Sequence, residues 1–307
     1  MRIKKILALA LSAVLMTSVL TGCSGDSGPE ITLYDGINSE MQLIHKMVEL
    51  VVEDKSDVEV TIKDQMSAVN MFRELTREDP SCDIMNSYDG TVLTTFLKQD
   101  PSDVPEGQTL YEYAKAQIME QYGVDMLDQL GINNTYCIAV PQSIADQYGL
   151  ETISDLIPVA GELRFGAEHE FFTEEGTMKY TPFTQFYGLN FKEKIPVDIN
   201  LKYAAVENGN FDVTVVYTTD GLNRKANLKV LEDDQNFFPE YNGALLVREG
   251  LYDELADAAP NLKDVLNSLS GTLTNEKMTD LTYAVDVEGR TVEEVAREFL
   301  TESGLIG

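Results

Sequence analysis

The chain has 307 residues, of which 52 are acidic and 23 basic, giving a formal net charge of -29. That balance excludes a nucleic-acid binder, whose affinity comes from basic patches, and excludes electrostatic adhesion to anionic lipid. Three cysteines, two histidines and no tryptophan leave no cysteine-rich scaffold, zinc spacing or histidine-rich catalytic cluster.

The N-terminus opens with Met1-Arg-Ile-Lys-Lys, an apolar run from Ile6 to Leu20, and then Thr21-Gly22-Cys23. A basic start, a short apolar stretch and small residues at its end predict a secretory signal over residues 1–22, too short and wrongly flanked for a transmembrane helix. The segment resembles a bacterial lipobox. That likeness implies cleavage before Cys23, diacylglycerol on its thiol, and an extracytoplasmic protein held to the cell membrane by lipid alone. Loss of Arg2, Lys4 and Lys5 would leave the remainder still more acidic. Residues 23–30 are small, polar and turn-rich, and suit a flexible tether.

Folding proper begins with a strand at Ile31–Tyr34. Leu43, Ile44, Met47, Val48 and Val51 recur at helical spacing, so residues 39–52 read as an amphipathic helix. Val58 to Ile62 alternates as a strand. Helices follow near 69–76, 110–122 and 143–148, with strands at 137–140, 163–167, 211–217 and 228–231. A strand ending at Ile84 precedes the polar run Ser87-Tyr-Asp-Gly-Thr91. Such alternation predicts α/β architecture with largely parallel sheets, and the length calls for two lobes. Near the C-terminus, Leu262, Val265, Leu266 and Leu269 form a helical stripe stopped by Gly271. Thr291-Val-Glu-Glu294 is a capping box for a last helix carrying Val295 and Phe299. Cys82 and Cys137 each adjoin apolar residues and are expected to be buried free thiols.

No G-x-S-x-G, P-loop or G-x-G-x-x-G motif occurs, and His169-Glu170 lacks the second histidine of H-E-x-x-H. No catalytic residue, metal site or cofactor is therefore expected, and the chain does not read as an enzyme. Tyrosines carry more information. Tyr88, Tyr136, Tyr217 and Tyr241 all fall at strand ends or in polar loops, where open α/β sheets bind ligands. Phenol rings converging there would hold a quaternary ammonium by cation–π attraction. Half-buried packing is the competing role for the same rings.

Leu130-Gly-Ile-Asn-Asn-Thr-Tyr136, Tyr217-Thr-Thr-Asp-Gly221 and Val230-Leu-Glu-Asp-Asp-Gln-Asn-Phe-Phe-Pro-Glu-Tyr241 together resemble the substrate-binding proteins of glycine betaine/choline/carnitine ABC importers. Tyr187-Gly-Leu-Asn-Phe191 and Val295-Ala-Arg-Glu-Phe-Leu300 fit the same pattern. The resemblance implies a type II periplasmic-binding-protein fold whose two α/β lobes are hinged by a pair of crossover strands. Lobe one would span 31–135 plus 246–307, and lobe two 136–245. It also implies a monomer that delivers its solute to an ABC permease. The family's aromatic cage carries over onto Tyr88, Tyr136, Tyr217 and Tyr241, with Thr91 and Gln42 as polar neighbours of the ligand.

Departures from the family pattern bear on the cargo. The family's Tyr-Pro-Glu-Tyr-Thr-Gly-Thr is here Met85-Asn-Ser-Tyr-Asp-Gly-Thr91, so a threonine has become Asp89. Two basic residues that would hold a ligand carboxylate align with Ile37 and Glu174. A carboxylate buried without a partner is unfavourable. The expected ligand is thus a cation with choline favoured over glycine betaine or carnitine, and Asp89 adds attraction or accepts a bond from an alcohol. A sensory lipoprotein using the same trap, or a binder of another cationic or zwitterionic solute, is the alternative.

Overall fold

The computed structural model describes residues 28–173, 178–198 and 201–307; the signal segment, Cys23 and Glu174 lie outside them. The first lobe begins with β1 (Glu30–Tyr34), α1 (Ser39–Lys55), β2 (Glu59–Lys63) and α2 (Ala68–Thr76). Then come β3 (Ile84–Tyr88), the short α3 (Asp89–Thr91), α4 (Leu110–Tyr122) and β4 (Asp125–Met126). Asn38 caps α1 by accepting from the Met41 amide at 2.9 Å. The stripe expected from sequence, Leu43, Ile44, Met47, Val48 and Val51, is fully buried. Each such side chain contributes about 1.5–3 kcal/mol on leaving water, which is what seats α1 in the core.

The second lobe carries β5 (Tyr136–Pro141), α5 (Gln142–Tyr148), β6 (Arg164–Glu168), α6 (His169–Thr173) and α7 (Tyr180–Tyr187). It continues through β7 (Glu193–Val197), α8 (Lys202–Glu207), β8 (Val213–Tyr217), α9 (Leu222–Lys225) and β9 (Leu228–Val230). The chain then returns along β10 (Gly243–Val247) to α10 (Leu251–Glu254), α11 (Leu262–Asn267), α12 (Asn275–Asp286) and α13 (Val292–Glu302). The capping box read at Thr291 and Glu294 is formed at the start of α13.

Among the described residues, β1 and β2 pair alone, β3-β10-β4 form a second sheet, and β7-β6-β8-β5-β9 form the third. The core of the first lobe draws on residues from Ile31 to Ile132 and from Ala244 to Ile306, whereas the second core lies between Ile138 and Phe238. β10, whose first three residues the sequence reading groups with lobe two, pairs along its whole length with β3.

Two expectations need correction. The sheets are mixed, because β10 runs antiparallel to β3 and β4, and β5 antiparallel to β8 and β9. Both are the strands by which the chain enters a lobe from the other one, and each runs against its sheet neighbours. The strand expected to end at Ile84 instead starts there and carries Tyr88 as its last residue. Its polar Asn86 and Ser87 are buried, and the Asn86 amide donates to His45 Nε2 at 3.1 Å. Several elements carry no expectation from the sequence, among them α7, β7, α8 and α12; β7 is an edge strand containing Pro196, which reads as a strand breaker.

Between the lobes the two connections run side by side. Asn133 bridges Asn242 in antiparallel fashion, and the Asn134 amide donates to the Tyr241 carbonyl at 2.9 Å. The loop after β8 docks onto α12 of the first lobe. There the Gly221 amide donates to Thr282 Oγ1 at 3.0 Å, that hydroxyl is within 3.0 Å of the Thr219 carbonyl, and Arg224 pairs with Asp280 at 2.8 Å. A Cβ on Gly221 would come within 2.4 Å of the Tyr283 nitrogen, so only glycine allows this approach. Cys82 and Cys137 are buried free thiols.

Candidate ligand-binding site

Antiparallel register sets Tyr136, the first residue of β5, directly opposite Tyr217, the last of β8. Their rings stack with centroids 5.0 Å apart and planes 27° apart, and the hydroxyls approach to 3.5 Å. Phe171 and Phe238 meet the Tyr136 ring edge-on and fix it from behind. Tyr217 is 38% exposed, the outer member of the pair.

From the first lobe, Tyr88 closes the end of β3 and donates its hydroxyl hydrogen bond to the Glu40 carboxylate. Asn134 Nδ2, from the crossover, donates to the same Glu40 oxygen at 3.0 Å and lies 3.5 Å from the Tyr88 hydroxyl. Tyr241 lies flat over the turn at Gly90, where an added Cβ would come within 2.4 Å of Tyr241 Cζ. A side chain at position 90 would lift that ring. The Tyr241 hydroxyl shares a hydrogen bond with Thr94, and its amide donates to Asn133 Oδ1 at 2.7 Å.

Of the four tyrosines named from sequence, Tyr136 and Tyr217 are in ring-to-ring contact, while Tyr88 ends β3 of the first lobe and Tyr241 lies on the return crossover beside Asn133 and Asn134. Burial first, then the Tyr136 phenol, Glu168 and Tyr241, push the Tyr217 hydroxyl far above its ordinary range. Raised in this way, the Tyr88, Tyr217 and Tyr241 hydroxyls stay protonated at physiological pH, and these rings present π faces rather than charge.

The other sequence-named residues are placed differently. Asp89 is fully buried, with both oxygens engaged: the Gly90 amide donates at 2.7 Å, and the Asn242 amide and side chain at 3.0 Å each. Burial pushes its carboxyl up to about 6, against the pull of those Asn242 and Gly90 bonds. It ties α3 to the return crossover beneath Tyr241. Gln42 is half-buried and donates to the Gly36 carbonyl at 3.1 Å, bracing the turn before α1. Thr91 is half-buried at the end of α3. Ile37, at the position of a family cation, is 65% exposed.

Glu40 is the site residue that sequence reasoning missed. It sits in the first turn of α1, where an acid is ordinarily explained by the helix dipole. Here it is only 4% exposed and forms no ion pair among the described residues. Burial lifts its carboxyl above the usual range, hydrogen bonds from Thr219, Tyr88 and Asn134 oppose that lift, and Asp220 adds to it. A buried anion stabilised only by neutral donors favours a cation beside it. On the second-lobe side, a cavity of about 370 Å³ opens next to Tyr217, lined also by Lys202, Tyr203 and Asp220.

Two α/β lobes with antiparallel crossovers and a site between them define a type II periplasmic-binding-protein fold. The chain belongs to the family described as the substrate binding domain of ABC-type glycine betaine transport systems, whose model matches residues 30–302. A carnitine transport binding protein of Listeria monocytogenes is 30% identical over 298 residues, covering 97% of this chain and 94% of that one. An ergothioneine transport permease/ergothioneine binding protein of Helicobacter pylori is 31% identical over 237 residues, 77% of this chain and 41% of the relative. The crystal structure of a glycine betaine/carnitine/choline ABC transporter protein superposes with a TM-score of 0.80 at 30% identity, covering 91% of this chain and 99% of that chain.

Proposed function

We propose that this protein is the lipid-anchored, extracytoplasmic solute trap of an ABC importer and that it captures a quaternary ammonium compound, with choline favoured over glycine betaine and carnitine. The lobes close about the paired crossovers, with the divisions near Thr135–Tyr136 and Asn242–Gly243, and the closed form presents the solute to a permease. Cys23 carries the anchor in this reading. Capture needs binding contacts and no bond chemistry.

The observation that carries the choline preference is Glu40. It gives the site a buried negative charge beside Tyr88, and the ammonium of the solute supplies the missing partner. Tyr136 and Tyr217 are already in ring-to-ring contact, so a methylated ammonium is taken on the outer face of Tyr217 or after the rings part. Tyr88 and Tyr241 close the remaining sides. Contacts from both lobes are strongest in the closed form, and differential affinity of that kind shifts the equilibrium toward closure. A carboxylate-bearing solute would bring a second anion toward Glu40 without the cations that the family places at Ile37 and Glu174.

Isothermal titration of the purified protein with choline, glycine betaine, carnitine and ergothioneine tests the proposal. Ergothioneine belongs in the panel because of the name of the Helicobacter pylori relative. Choline is expected to bind most tightly and to be recovered intact after prolonged incubation. Binding of none of the four, or consumption of choline, would overturn the reading.

A further inference from the structure

Lys202 is a lysine buried to 3% exposure at the start of α8, with Nζ 2.5 Å from Oε1 of Glu168, itself 13% exposed. The parallel register of β6 on β8 sets Phe165 against Val213 and Gly166 against Thr214. Two residues further on, Glu168 stands beside the end of β8 and its Tyr217. Lys202 and Tyr217 also border the same cavity of about 370 Å³, with Asp220, Glu207 and the solvent-exposed Lys225 on its walls.

We infer that Glu168 sets the ligand class of this site by occupying Lys202, the buried cation that a carboxylate on the solute would otherwise use. The inference rests on the reading of the site as a quaternary-ammonium trap. A betaine seated with its ammonium on Tyr217 and its carboxylate along the cavity meets a lysine already neutralised from within. To take that lysine it must strand Glu168 as a largely desolvated, unpaired anion, an arrangement strongly disfavoured. An alcohol tail faces no such conflict, because it neither needs Lys202 nor repels Glu168. Glu168 is thus a positioning residue acting through Lys202, and its signature is a change in selectivity rather than a uniform loss of affinity.

The test is calorimetric titration of choline and glycine betaine into wild type, Glu168→Gln, and the double variant E168Q/K202Q. Freeing Lys202 in E168Q should shift the affinity ratio toward glycine betaine by at least about tenfold, as expected for one additional charge-assisted hydrogen bond to the solute. The double variant should return the ratio to the wild-type value. A ratio in E168Q equal to that of wild type would overturn the inference. Should circular dichroism show E168Q unfolded, Glu168→Asp replaces it. Its shorter arm withdraws the carboxylate from Lys202, so the ratio must move in the same direction, and an unmoved ratio overturns the inference equally. Wild type that binds neither solute removes the capture reading itself, whereas wild type that binds choline with an unmoved ratio in the variants removes only the role of Glu168.

Discussion

Tyr88 donates its phenolic hydrogen bond to Glu40, joining the end of a strand to the first turn of a helix and leaving a buried carboxylate facing the tyrosine cluster. A carboxylate so placed destabilises the protein without ligand and attracts a cation, so its removal should separate stability from binding. In Glu40→Gln we expect choline affinity to fall about tenfold to a hundredfold, the range for losing a contact to a charged group. The melting temperature of the ligand-free variant should equal or exceed that of wild type. Titration calorimetry and thermal unfolding at pH 7 check the two halves.

The same residue gives a pH dependence. The Glu40 carboxyl lies above its ordinary 4.5 because of burial, so acidification protonates it early and removes the charge that holds the solute. Choline affinity in wild type should decline as pH falls through that raised value, and the decline should be absent in Glu40→Gln. Titrations between pH 4.5 and 7.5, a range chosen from the ordinary carboxylate value upward, report the difference.

Tyr217 presents its outer face to the solute. Replacing it by phenylalanine keeps the π surface and should change choline affinity only a few-fold, since the 3.5 Å approach of its hydroxyl to Tyr136 is a weak bond. Replacing it by alanine removes one wall of the cage and should weaken binding about thirtyfold, corresponding to ~2 kcal/mol for a desolvated cation–π contact. Equal losses in the two variants would argue that the hydroxyl, not the ring, does the holding.

Gly90 is needed where the Tyr241 ring crosses it. Gly90→Ala should push that ring out of place, destabilising the fold by about 1–3 kcal/mol as overpacking does and weakening choline binding. Chemical denaturation and titration on the same sample measure both.

Asp89 should behave as a structural acid. Its carboxyl is raised to about 6 from an ordinary 3.8, chiefly by burial. The folded state therefore holds the proton more tightly than the unfolded chain does. Stability from this group is fully present below the unfolded value and declines as pH rises through the interval up to about 6, by roughly 3 kcal/mol over two pH units. Unfolding free energies of wild type should fall across that window, and those of Asp89→Asn should change less.

Helices with strong end signals were legible in the sequence. α4 begins and ends where periodicity places it, with Thr109 and Glu112 forming its box, and α13 starts at the box read from Thr291. β3 was displaced because Asn86 and Ser87 look like loop residues, and only their burial against α1 reveals them as strand. The tyrosines were legible as ring-bearing strand ends, yet nothing in the chain says that β5 and β8 place Tyr136 opposite Tyr217. Asp89 was read for its charge, but the amides of Gly90 and Asn242 engage both its oxygens. Glu40 was hidden by an ordinary explanation: an acid at a helix start needs no site. Glu168 and Lys202 lie 34 residues apart in the chain, so no local pattern announced their pairing.

The central claim, that the site is built for a cation lacking a carboxylate, is tested most directly by titrating wild-type protein with choline and glycine betaine under identical conditions. Choline is expected to bind more tightly, and Glu40→Gln to narrow the difference. Glycine betaine binding much more tightly than choline to the wild-type protein would contradict it.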